Sequence, residues 1–465
     1  MATQKEKTRF RNRRMETLSR GEVKEIQLRG IQDLLQRAYA RSTFYREHLD
    51  KAGVRPDSIR SLEEFSERVP FLTKQDLVRD QEQHPPYGSR LLVPESQVRQ
   101  VHTTTGTSGL GQEFHALTKG DADLVAESLC CTLTAQGMKK GDMVALLWPV
   151  ATMAGGLTAE MGLRRYGCNV ALLQIFDTKT RINFMRKLSP HAIWATPAYL
   201  TRLTYVCQEE GIVPRSDFPR LKAVVLSTGA IPVSWAVRME DFWGCKTFDI
   251  YGATQSVPWL AYTCEKGVIH GSRRGVYHFP EHLAHVEIID PATGRHVAYG
   301  EEGEPILTTF SREAVPLIRF RTNDKVRLLP PDSCDCGRTV GCWEAGTITR
   351  YDEMIKMKGQ NVWPSAVDEV LFSGPEIDEY RGRVFIDQDG KERASIKLEF
   401  RNEVDEAMKK RILEELPQAM KQKIGVSVDF EEVRFGTIPR VDYKVRRWTD
   451  ERTSGLERVE FLEKR

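Results

Sequence analysis

The pattern of apolar and polar positions changes character twice along the chain. Between residues 22 and 51, apolar side chains recur at the spacing of one helical face, which predicts an amphipathic helix at the start of the fold. From about residue 143, short apolar runs alternate with longer helical segments such as GGLTAEMGLRRYG; the runs are MVALLWPV, NVALLQI, AIWAT and AVVLS. Buried strands that alternate with helices predict an α/β fold, in which a large N-terminal domain carries parallel-rich sheets and helices.

Beyond residue 352 the pattern indicates a smaller α+β unit. The stretch RVFIDQDGKERASIKLEF predicts two strands joined by a turn that includes Asp389 and Gly390. A charged helix over about 403–423 and a strand in VSVDFEEVRFG follow. We therefore predict an N-terminal domain over residues 1–350 and a C-terminal lid domain over residues 351–465, with the boundary near TRYDEM.

Composition narrows the class of protein. The 465 residues include 68 basic and 65 acidic side chains, a net charge of +3, and this near-balance argues against nucleic acid as the main partner. No apolar stretch approaches the roughly 20 residues that span a bilayer, and the N-terminus lacks the apolar core of a signal peptide. We expect a cytoplasmic monomer or homodimer with no membrane partner, whose nine cysteines are not a disulfide framework.

The stretch VHTTTGTSGLGQEF, between Val101 and Phe114, carries the first candidate chemistry. Glycines allow backbone N–H groups to approach a phosphate, and hydroxyl groups add further donors. The stretch lacks the GK[ST] ending of a Walker A loop. Taken alone, it is either a phosphate-binding loop or a flexible linker.

Further stretches, in a fixed order, favour the phosphate-binding interpretation. They are LSTGA, FDIYGATQS, PLIRFRTNDKVRLLP, TRYDEMIKMKGQNVWPSAVDEVL and GTIPRVDYKVRRWTD. In this order the set resembles the adenylate-forming superfamily of acyl-CoA synthetases, and it looks most like the phenylacetate–CoA ligase branch. The resemblance runs from the opening helical segment and FLTKQDL to Lys444.

The resemblance implies an ATP-dependent, AMP-forming acid–CoA ligase. A carboxylic acid, expected to be an aryl acid, would be converted to an acyl-adenylate and then to a thioester of coenzyme A, with ATP, Mg²⁺ and coenzyme A as cofactors. The acid would bind between residues 149–156 and 253–259. Two alternatives stay open: another acceptor (an amine, a carrier-protein thiol or a nucleophile such as nitrite), or a non-catalytic adenylate-binding homologue.

The resemblance also implies roles for individual positions. Asp324 would accept hydrogen bonds from the ribose hydroxyls, and Arg350 would lie near the ribose and the phosphates. Asp352 would be the hinge between the domains. Residues 358–361 would enter the site for the second step, and Lys444 would be the catalytic lysine of the first. Singly, each has a structural alternative, such as a surface turn residue for Asp324.

The remaining nucleotide-binding positions fall into groups by the part of ATP that each would contact. For the β- and γ-phosphates they are Thr104, Thr105, Gly106, Thr107, Ser108 and Gly109; for the adenine, Ser227, Thr228, Gly229, Ala230 and Tyr251; for the α-phosphate, Thr254. Gly252, Ala253 and Gln255 are further predicted nucleotide-binding positions. Thr254, with Arg350 and Lys444, completes the predicted catalytic set.

Two positions depart from the family pattern. Leu110 stands where the loop usually has a lysine, and Gln255 stands where a glutamate usually helps to hold Mg²⁺. Glutamine keeps an acceptor oxygen but loses the charge that attracts a divalent cation. We expect Mg²⁺, Arg350 and Lys444 to supply the positive charge that the phosphate loop lacks.

A pair of cysteines in SCDCGRT corresponds to a feature of parts of the same branch. There its partner is a Cys-x5-His element, which TCEKGVIH provides here. The resemblance therefore implies a structural zinc site made by Cys264, His270, Cys334 and Cys336. Nearby Cys342, His278, His282 or His285 could replace one of these ligands, and the alternative is reduced thiols in a loop.

Overall fold

The chain divides into two compact units. In this computed structural model, the described residues are 9–104, 112–151, 154–227, 229–256, 259–271, 273–357, 360–439 and 447–452. The larger unit comprises Met1–Thr228 and Glu240–Thr347, and the smaller comprises Gly229–Met239 and Ile348–Arg465. Residues 229–239, which lie inside the first predicted domain, thus group with the second unit.

Helices are spread over both units. The α-helices are α1 Arg13–Glu16, α2 Arg20–Arg41, α3 Thr43–Lys51, α4 Leu62–Arg68, α5 Lys74–Gln83, α6 Lys119–Ala135, α7 Ala154–Tyr166, α8 Thr178–Leu188, α9 Pro197–Glu209, α10 Pro214–Asp217, α11 Val233–Trp243, α12 Pro364–Leu371 and α13 Glu406–Ile424. Short 3₁₀ helices span Pro56–Ser58, Glu95–Gln97 and Tyr351–Glu353.

Most strands are short. They are β1 Gln100–Thr103, β2 Phe114–Leu117, β3 Met143–Leu146, β4 Asn169–Leu172, β5 Ala192–Ala195, β6 Ala223–Leu226, β7 Lys246–Tyr251, β8 Ala261–Thr263, β9 Ile269–His270, β10 Arg273–Arg274, β11 Val276–His278, β12 His285–Ile289, β13 Glu302–Thr308, β14 Phe320–Arg321, β15 Asp324–Leu329, β16 Cys342–Glu344, β17 Thr349–Arg350, β18 Ile355–Met357, β19 Gln360–Val362, β20 Ile377–Ile386, β21 Glu392–Phe400, β22 Asp429–Val433 and β23 Trp448–Asp450.

The main sheet of the larger unit has a parallel half and an antiparallel half. Its order is β4-β3-β5-β6-β7-β8-β11-β16-β15-β13-β12, and β4 to β7 run parallel. From β7 to β8 the direction reverses. The four predicted apolar runs become β3, β4, β5 and β6, and helices connect them, so the predicted α/β fold is confirmed.

The predicted opening helix is interrupted at Ser42. The backbone N–H of Ser42 donates to the carbonyl of Ala38 at the end of α2, while its side chain accepts from the N–H of Tyr45 and starts α3. One residue thus ends one helix and caps the next, as serine commonly does at a helix N-terminus. The prediction of a single helix over residues 22–51 is therefore wrong at this position.

The N-terminal segment is joined to the antiparallel half of the sheet by a buried ion pair. Nε of Arg338 donates to Oε2 of Glu16 at 2.9 Å, across 322 positions of sequence. Both side chains are almost fully buried, at 0% and 3% exposure. The same guanidinium lies over the ring of Phe10, 4.8 Å from its centroid.

The smaller unit is built on a four-stranded sheet. Its order is β22-β21-β20-β23, with an antiparallel hairpin of β20 and β21 at the centre. The hairpin turn runs through Asp387 to Lys391, and Gly390 adopts φ 74°, a conformation that favours glycine. The predicted hairpin, helix and strand are all present, which confirms the small α+β domain.

Candidate active site and thiol cluster

Two of the predicted nucleotide-binding segments meet at one edge of the main sheet. β6 ends at Leu226 and the parallel β7 ends at Tyr251, with Leu226 paired to Asp249. Ser227 and the segment 251–255 therefore leave the sheet at the carboxyl ends of adjacent strands, where open α/β sheets bind ligands. Thr228 lies outside the described residues, and Gly229 and Ala230 belong to the smaller unit.

Tyr251 and Asp324, two residues predicted to contact the nucleoside, are directly bonded. The Tyr251 hydroxyl donates to Oδ2 of Asp324, and each residue is only 8% exposed. Asp324 begins β15, directly after Asn323, whose φ of 63° is left-handed and whose N–H donates to Glu304 at 2.8 Å. We call this contact the Tyr251–Asp324 pair. A carboxylate can accept hydrogen bonds at both of its oxygens.

A second tyrosine–carboxyl contact lies two residues earlier on β7. The buried Tyr277 hydroxyl donates to Asp249, and Trp343 packs edge-on against both Tyr251 and Tyr277. Burial raises the pKa of Asp249 to about 8, and the bond from Tyr277 only partly offsets that effect. This carboxyl is therefore largely protonated at neutral pH.

The segment after Tyr251 forms a turn, and a buried arginine donates a hydrogen bond to the end of that turn. The backbone N–H of Ser256 donates to the carbonyl of Ala253, closing the turn that contains Thr254. Arg312 donates to the carbonyl of Ser256 at 3.0 Å and forms a fully buried ion pair with Asp121 at 3.1 Å. The turn is thereby fixed to the body of the larger unit.

The phosphate-loop stretch begins and ends on a two-stranded ribbon, β1 and β2. Thr104 donates through its N–H to the carbonyl of Glu113 at 3.1 Å, and its hydroxyl accepts from the N–H of Glu113 at 3.0 Å. Both ends of the stretch are thus tied together. The predicted residues between them, Thr105, Gly106, Thr107, Ser108 and Gly109, lie outside the described residues, as does Leu110.

Glu113 is the centre of a buried polar cluster that sequence reasoning missed. Its Oε2 accepts from Nε2 of Gln255 at 2.8 Å and lies 3.4 Å from Nζ of Lys74, while its Oε1 lies 3.6 Å from Nε2 of His115. Burial alone would raise the pKa of Glu113, yet its contacts with His115, Lys74 and Gln255 lower it below its ordinary value. We call these four residues the Glu113 cluster.

Two predicted residues of the smaller unit form an ion pair with each other. Arg350 makes a bidentate contact to Asp352, with both N–O distances at 2.8 Å, and both side chains are partly exposed. Lys444, Lys358 and Gly359 lie outside the described residues. The predicted catalytic lysine and the second-step loop therefore stay predictions from sequence.

Three thiols and an imidazole converge in the antiparallel half of the main sheet. The ligand atoms of Cys264, His278, Cys334 and Cys336 all lie within 4.8 Å of one another. Cys264 and Cys334 have sulfurs 3.7 Å apart, and the sulfur of Cys336 lies 3.5 Å from Nε2 of His278. We call this group the thiol cluster.

The histidine of the thiol cluster is His278, not the predicted His270. His278 ends β11, which pairs antiparallel with β8, and Cys264 directly follows β8. His270 instead lies exposed on the separate β9–β10 ribbon, paired with Arg273. The register between β8 and β11 therefore determines which histidine lies beside Cys264, and the spacing of residues along the sequence does not show this register. Cys342 contacts the other ring nitrogen of His278 at 3.5 Å.

Sequence comparisons agree with the motifs in both units. Residues 112–308 match the model of the AMP-binding enzyme family, and residues 359–452 match that of the AMP-binding enzyme C-terminal domain. The phenylacetate–coenzyme A ligase of Pseudomonas putida is 30% identical over 437 residues, which cover 92% of this chain and 94% of that protein. The ligase of the same name from Aromatoleum evansii is 31% identical over 448 residues, which cover 94% and 96%.

A solved structure shares the fold along nearly the whole chain. It is 2-hydroxyisobutyryl-CoA ligase in the postadenylation state in complex with 2-HIB-AMP, with a TM-score of 0.86 and 26% identity over 98% of this chain and 95% of that one. The chain belongs to the family of AMP-binding enzymes. Within that family it falls in the phenylacetate–coenzyme A ligase branch, as the sequence predicted. Among the described residues, no helix is both long and apolar enough to cross a membrane.

Proposed function

We propose that the protein is an ATP-dependent acid–coenzyme A ligase that acts on an aromatic acid. The observation that carries the proposal is the Tyr251–Asp324 pair at the carboxyl edge of the parallel strands, combined with motifs of the same family in both units. The relatives named for phenylacetate and coenzyme A support the same chemistry.

The first step forms an acyl-adenylate. A carboxylate oxygen of the acid attacks the α-phosphorus of ATP, the bond to the bridging oxygen of the β-phosphate breaks, and pyrophosphate leaves. Asp324 orients the ribose through its hydroxyls, Thr254 contacts the α-phosphate, and Lys444 and Arg350 stabilise the negative charge that shifts toward pyrophosphate. Bound Mg²⁺ would neutralise part of the phosphate charge.

The second step forms the thioester. The sulfur of coenzyme A attacks the acyl carbon, the bond to the AMP oxygen breaks, and AMP leaves as the thiol proton passes to solvent. Asp352 serves as the hinge at which the smaller unit changes orientation between the two steps, so that residues 358–361 replace Lys444 at the acyl group. A lid motion of this kind allows one site to perform two reactions.

An aromatic substrate is supported by three buried tryptophans beside the segments predicted to bind the acid. Trp148 lies 5.2 Å from Trp194 and 6.1 Å from Trp259, between ring centroids. Trp148 precedes residues 149–156, and Trp259 ends residues 253–259. All three belong to one buried core cluster, so they make the core beside these segments aromatic, an environment that suits an aryl ring because aromatic pairs gain from stacked or edge-on contact.

The function is tested by pyrophosphate release over a panel of aromatic and aliphatic acids, with and without coenzyme A. An aromatic acid that supports rapid release, together with thioester formation when coenzyme A is added, is the expected result. Adenylation without thioester formation would favour an amine, a carrier-protein thiol or another acceptor. Absence of release with every acid would favour a non-catalytic adenylate-binding protein.

We further propose that the thiol cluster holds a structural zinc ion. Tetrahedral zinc places two sulfur ligands about 3.8 Å apart and a sulfur and a nitrogen ligand about 3.5 Å apart, given typical bond lengths. The corresponding distances are 3.7 Å between Cys264 and Cys334 and 3.5 Å between Cys336 and His278. Three thiols and one imidazole fill all four positions, so the ion would bind no substrate.

Elemental analysis of the purified protein tests the zinc site. We expect about one zinc atom per chain, and removal by a chelator should lower the melting temperature. Protein that contains no zinc and takes none up would contradict this part of the proposal. A cytoplasmic location and a monomeric or homodimeric state stay predictions from the sequence.

A further inference from the structure

The segments expected to contact the ATP phosphates differ at two positions from the charged residues that the resemblance implies. Leu110 stands where the resemblance implies a lysine, and Gln255 stands where it implies a glutamate that helps to hold Mg²⁺. The amide of Gln255, however, donates directly to the carboxylate of Glu113. We propose that Glu113 supplies the negative charge that position 255 lacks, and that Glu113 and Gln255 together provide the protein oxygens for the Mg²⁺ that accompanies ATP.

The two side chains are placed for this role by their backbones. Glu113 is bonded through its main chain to Thr104, at the base of the phosphate-loop stretch. Gln255 directly follows Thr254, the predicted contact to the α-phosphate. The pair therefore links the two segments expected to contact the phosphates. Both come from the larger unit, so the arrangement does not depend on the orientation of the smaller one.

The bonding leaves suitable atoms for a metal ion. Gln255 uses its amide nitrogen on Glu113 at 2.8 Å, which leaves the amide oxygen as its metal-binding atom. Oε1 of Glu113 is buried and has no hydrogen-bond partner within the described part of the chain, and His115 at 3.6 Å is too far to provide one. A buried carboxylate oxygen without a partner is costly, and an ion that it binds would offset that cost.

The charge of the pair also fits Mg²⁺. Glu113 has 0% exposure and its Oε2 lies 3.4 Å from Nζ of Lys74, a contact that favours the charged carboxylate. Mg²⁺ is bound through one or two carboxylates together with substrate phosphates and retains several waters. One carboxylate oxygen and one amide oxygen are the oxygen ligands that Mg²⁺ prefers, and they leave its other coordination positions to phosphates and waters.

The main competing explanation is structural. Glu113 lies 3.4 Å from Nζ of Lys74 and 3.6 Å from His115, so its charge could serve only to balance these neighbours. Moving the carboxylate from position 113 to position 255 distinguishes a role in metal binding from a role in charge balance. Exchanging the two residues, E113Q/Q255E, keeps an amide bonded to a carboxylate and keeps the total charge, but places the charge at the family position.

The test measures Mn²⁺ binding to the full-length protein with α,β-methylene-ATP, by the enhanced water-proton relaxation that protein-bound Mn²⁺ produces, with Mn²⁺ and nucleotide without protein as the blank. Because no acid or coenzyme A is present, the result does not depend on the acyl substrate or acceptor. The proposal rests on the proposed use of ATP. If the wild-type protein binds no Mn²⁺–nucleotide complex, both proposals fail; if it binds and Glu113 has no effect, only this one fails.

E113Q should raise the Mn²⁺ dissociation constant at least about tenfold, and E113Q/Q255E should restore it to within about threefold of wild type. The matched control is Glu287→Gln, which removes another buried carboxylate that contacts an arginine and a histidine, Arg319 and His296. It should leave Mn²⁺ affinity unchanged whatever it does to the melting temperature.

Two results would overturn the role of Glu113. One is an E113Q protein whose Mn²⁺ affinity is within twofold of wild type, even with a lowered melting temperature, since Glu113 would then only balance Lys74 and His115. The other is a double variant that binds Mn²⁺ no better than E113Q. If E113Q does not fold, the double variant decides alone: affinity within threefold of wild type supports the proposal, and a loss above tenfold overturns it.

Discussion

The Glu113 cluster and the Tyr251–Asp324 pair hold buried carboxylates in different ways. Glu113 is surrounded by an amide, an ammonium and an imidazole, and these contacts keep it charged. Asp324 instead accepts from a tyrosine hydroxyl, a contact that Asp249 repeats with Tyr277 two residues before Tyr251. The first region is organised by charge and the second by uncharged hydrogen-bond donors.

The two regions also differ in where their residues stand in the sequence. Tyr251 and Asp324 both lie within recognisable motifs of the family. In the Glu113 cluster, Lys74 and Glu113 lie within the stretches FLTKQDL and VHTTTGTSGLGQEF, but the resemblance implies a role for position 255 alone, and Gln255 lacks the charge expected there. The comparison teaches that a carboxylate can lie beside a position where the resemblance implies a charge that the chain lacks, so we expect the phosphate side to depend on residues to which the resemblance assigns no role.

The largest effect is expected for Lys444→Ala. With lysine absent from position 110, few other cations share the charge of the leaving pyrophosphate, and loss of one such contact typically costs roughly 10²–10³ in rate. Pyrophosphate release should fall by that factor, while a supplied acyl-adenylate should still react with coenzyme A. An equal loss in both half-reactions would make Lys444 a structural residue.

Lys74→Met should have the next largest effect. Without the ammonium, the pKa of Glu113 rises, so the carboxylate is charged above that pKa and becomes protonated as pH falls through it. We expect a loss of about tenfold or more in kcat/KM for ATP at the acid end of the pH range, and the loss should become smaller as pH rises. The exposed Lys51→Met is the control, and a loss independent of pH would contradict the coupling to Glu113.

Tyr251→Phe should have a smaller effect, because a neutral donor is lost rather than a charge. A hydrogen bond to a charged group contributes about 1.5–3 kcal/mol, part of which water can replace, so KM for ATP should rise about three- to tenfold. Tyr39→Phe removes another tyrosine–aspartate bond, to Asp50, and should leave KM unchanged. If Tyr251→Phe raised KM as much as Lys74→Met lowers kcat/KM, the predicted contrast between a charged cluster and an uncharged donor would be wrong.

Asp249→Asn should change ATP use least, by less than about twofold, and should act on stability instead. The pKa of Asp249 is raised to about 8 in the folded protein, so its protonated form stabilises the fold below its ordinary pKa, and this contribution is lost as pH rises through 8. The decline amounts to at most about 1.4 kcal/mol per pH unit. Urea unfolding at pH 5 and pH 9 should show a smaller decline in the variant, and equal declines would contradict the assignment.

The fold was predictable where one residue pattern decided the structure. The alternation of apolar runs and helical segments gave the parallel strands β3 to β6, because a buried strand and an amphipathic helix each impose their own periodicity. The division of the first helix at Ser42 was not visible, since a single serine fits a helical pattern and acts as a cap only when the chain turns there.

The candidate site was predictable only in part. Tyr251 and Asp324 were predicted as site residues because the resemblance marks their motifs, and the structure shows that their side chains are directly bonded. Glu113 and Lys74 meet through the pairing of β1 with β2 and the position of α5, which no local pattern encodes. The choice of His278 over His270 depends in the same way on the register of β8 and β11. The glutamine at position 255, where the resemblance implies a glutamate, was the one sequence signal for the role that we propose for Glu113.

The ion pair between Glu16 and Arg338 has a consequence for synthesis of the protein on the ribosome. Its partners are 322 positions apart, and both are buried in the folded chain. At about 5–20 residues per second, roughly 15 to 65 s pass between translation of the first partner and translation of the second. During that time Glu16 stays without its partner, so the N-terminal segment cannot complete its packing until almost three quarters of the chain has been made, and it is exposed to chaperones and proteases meanwhile.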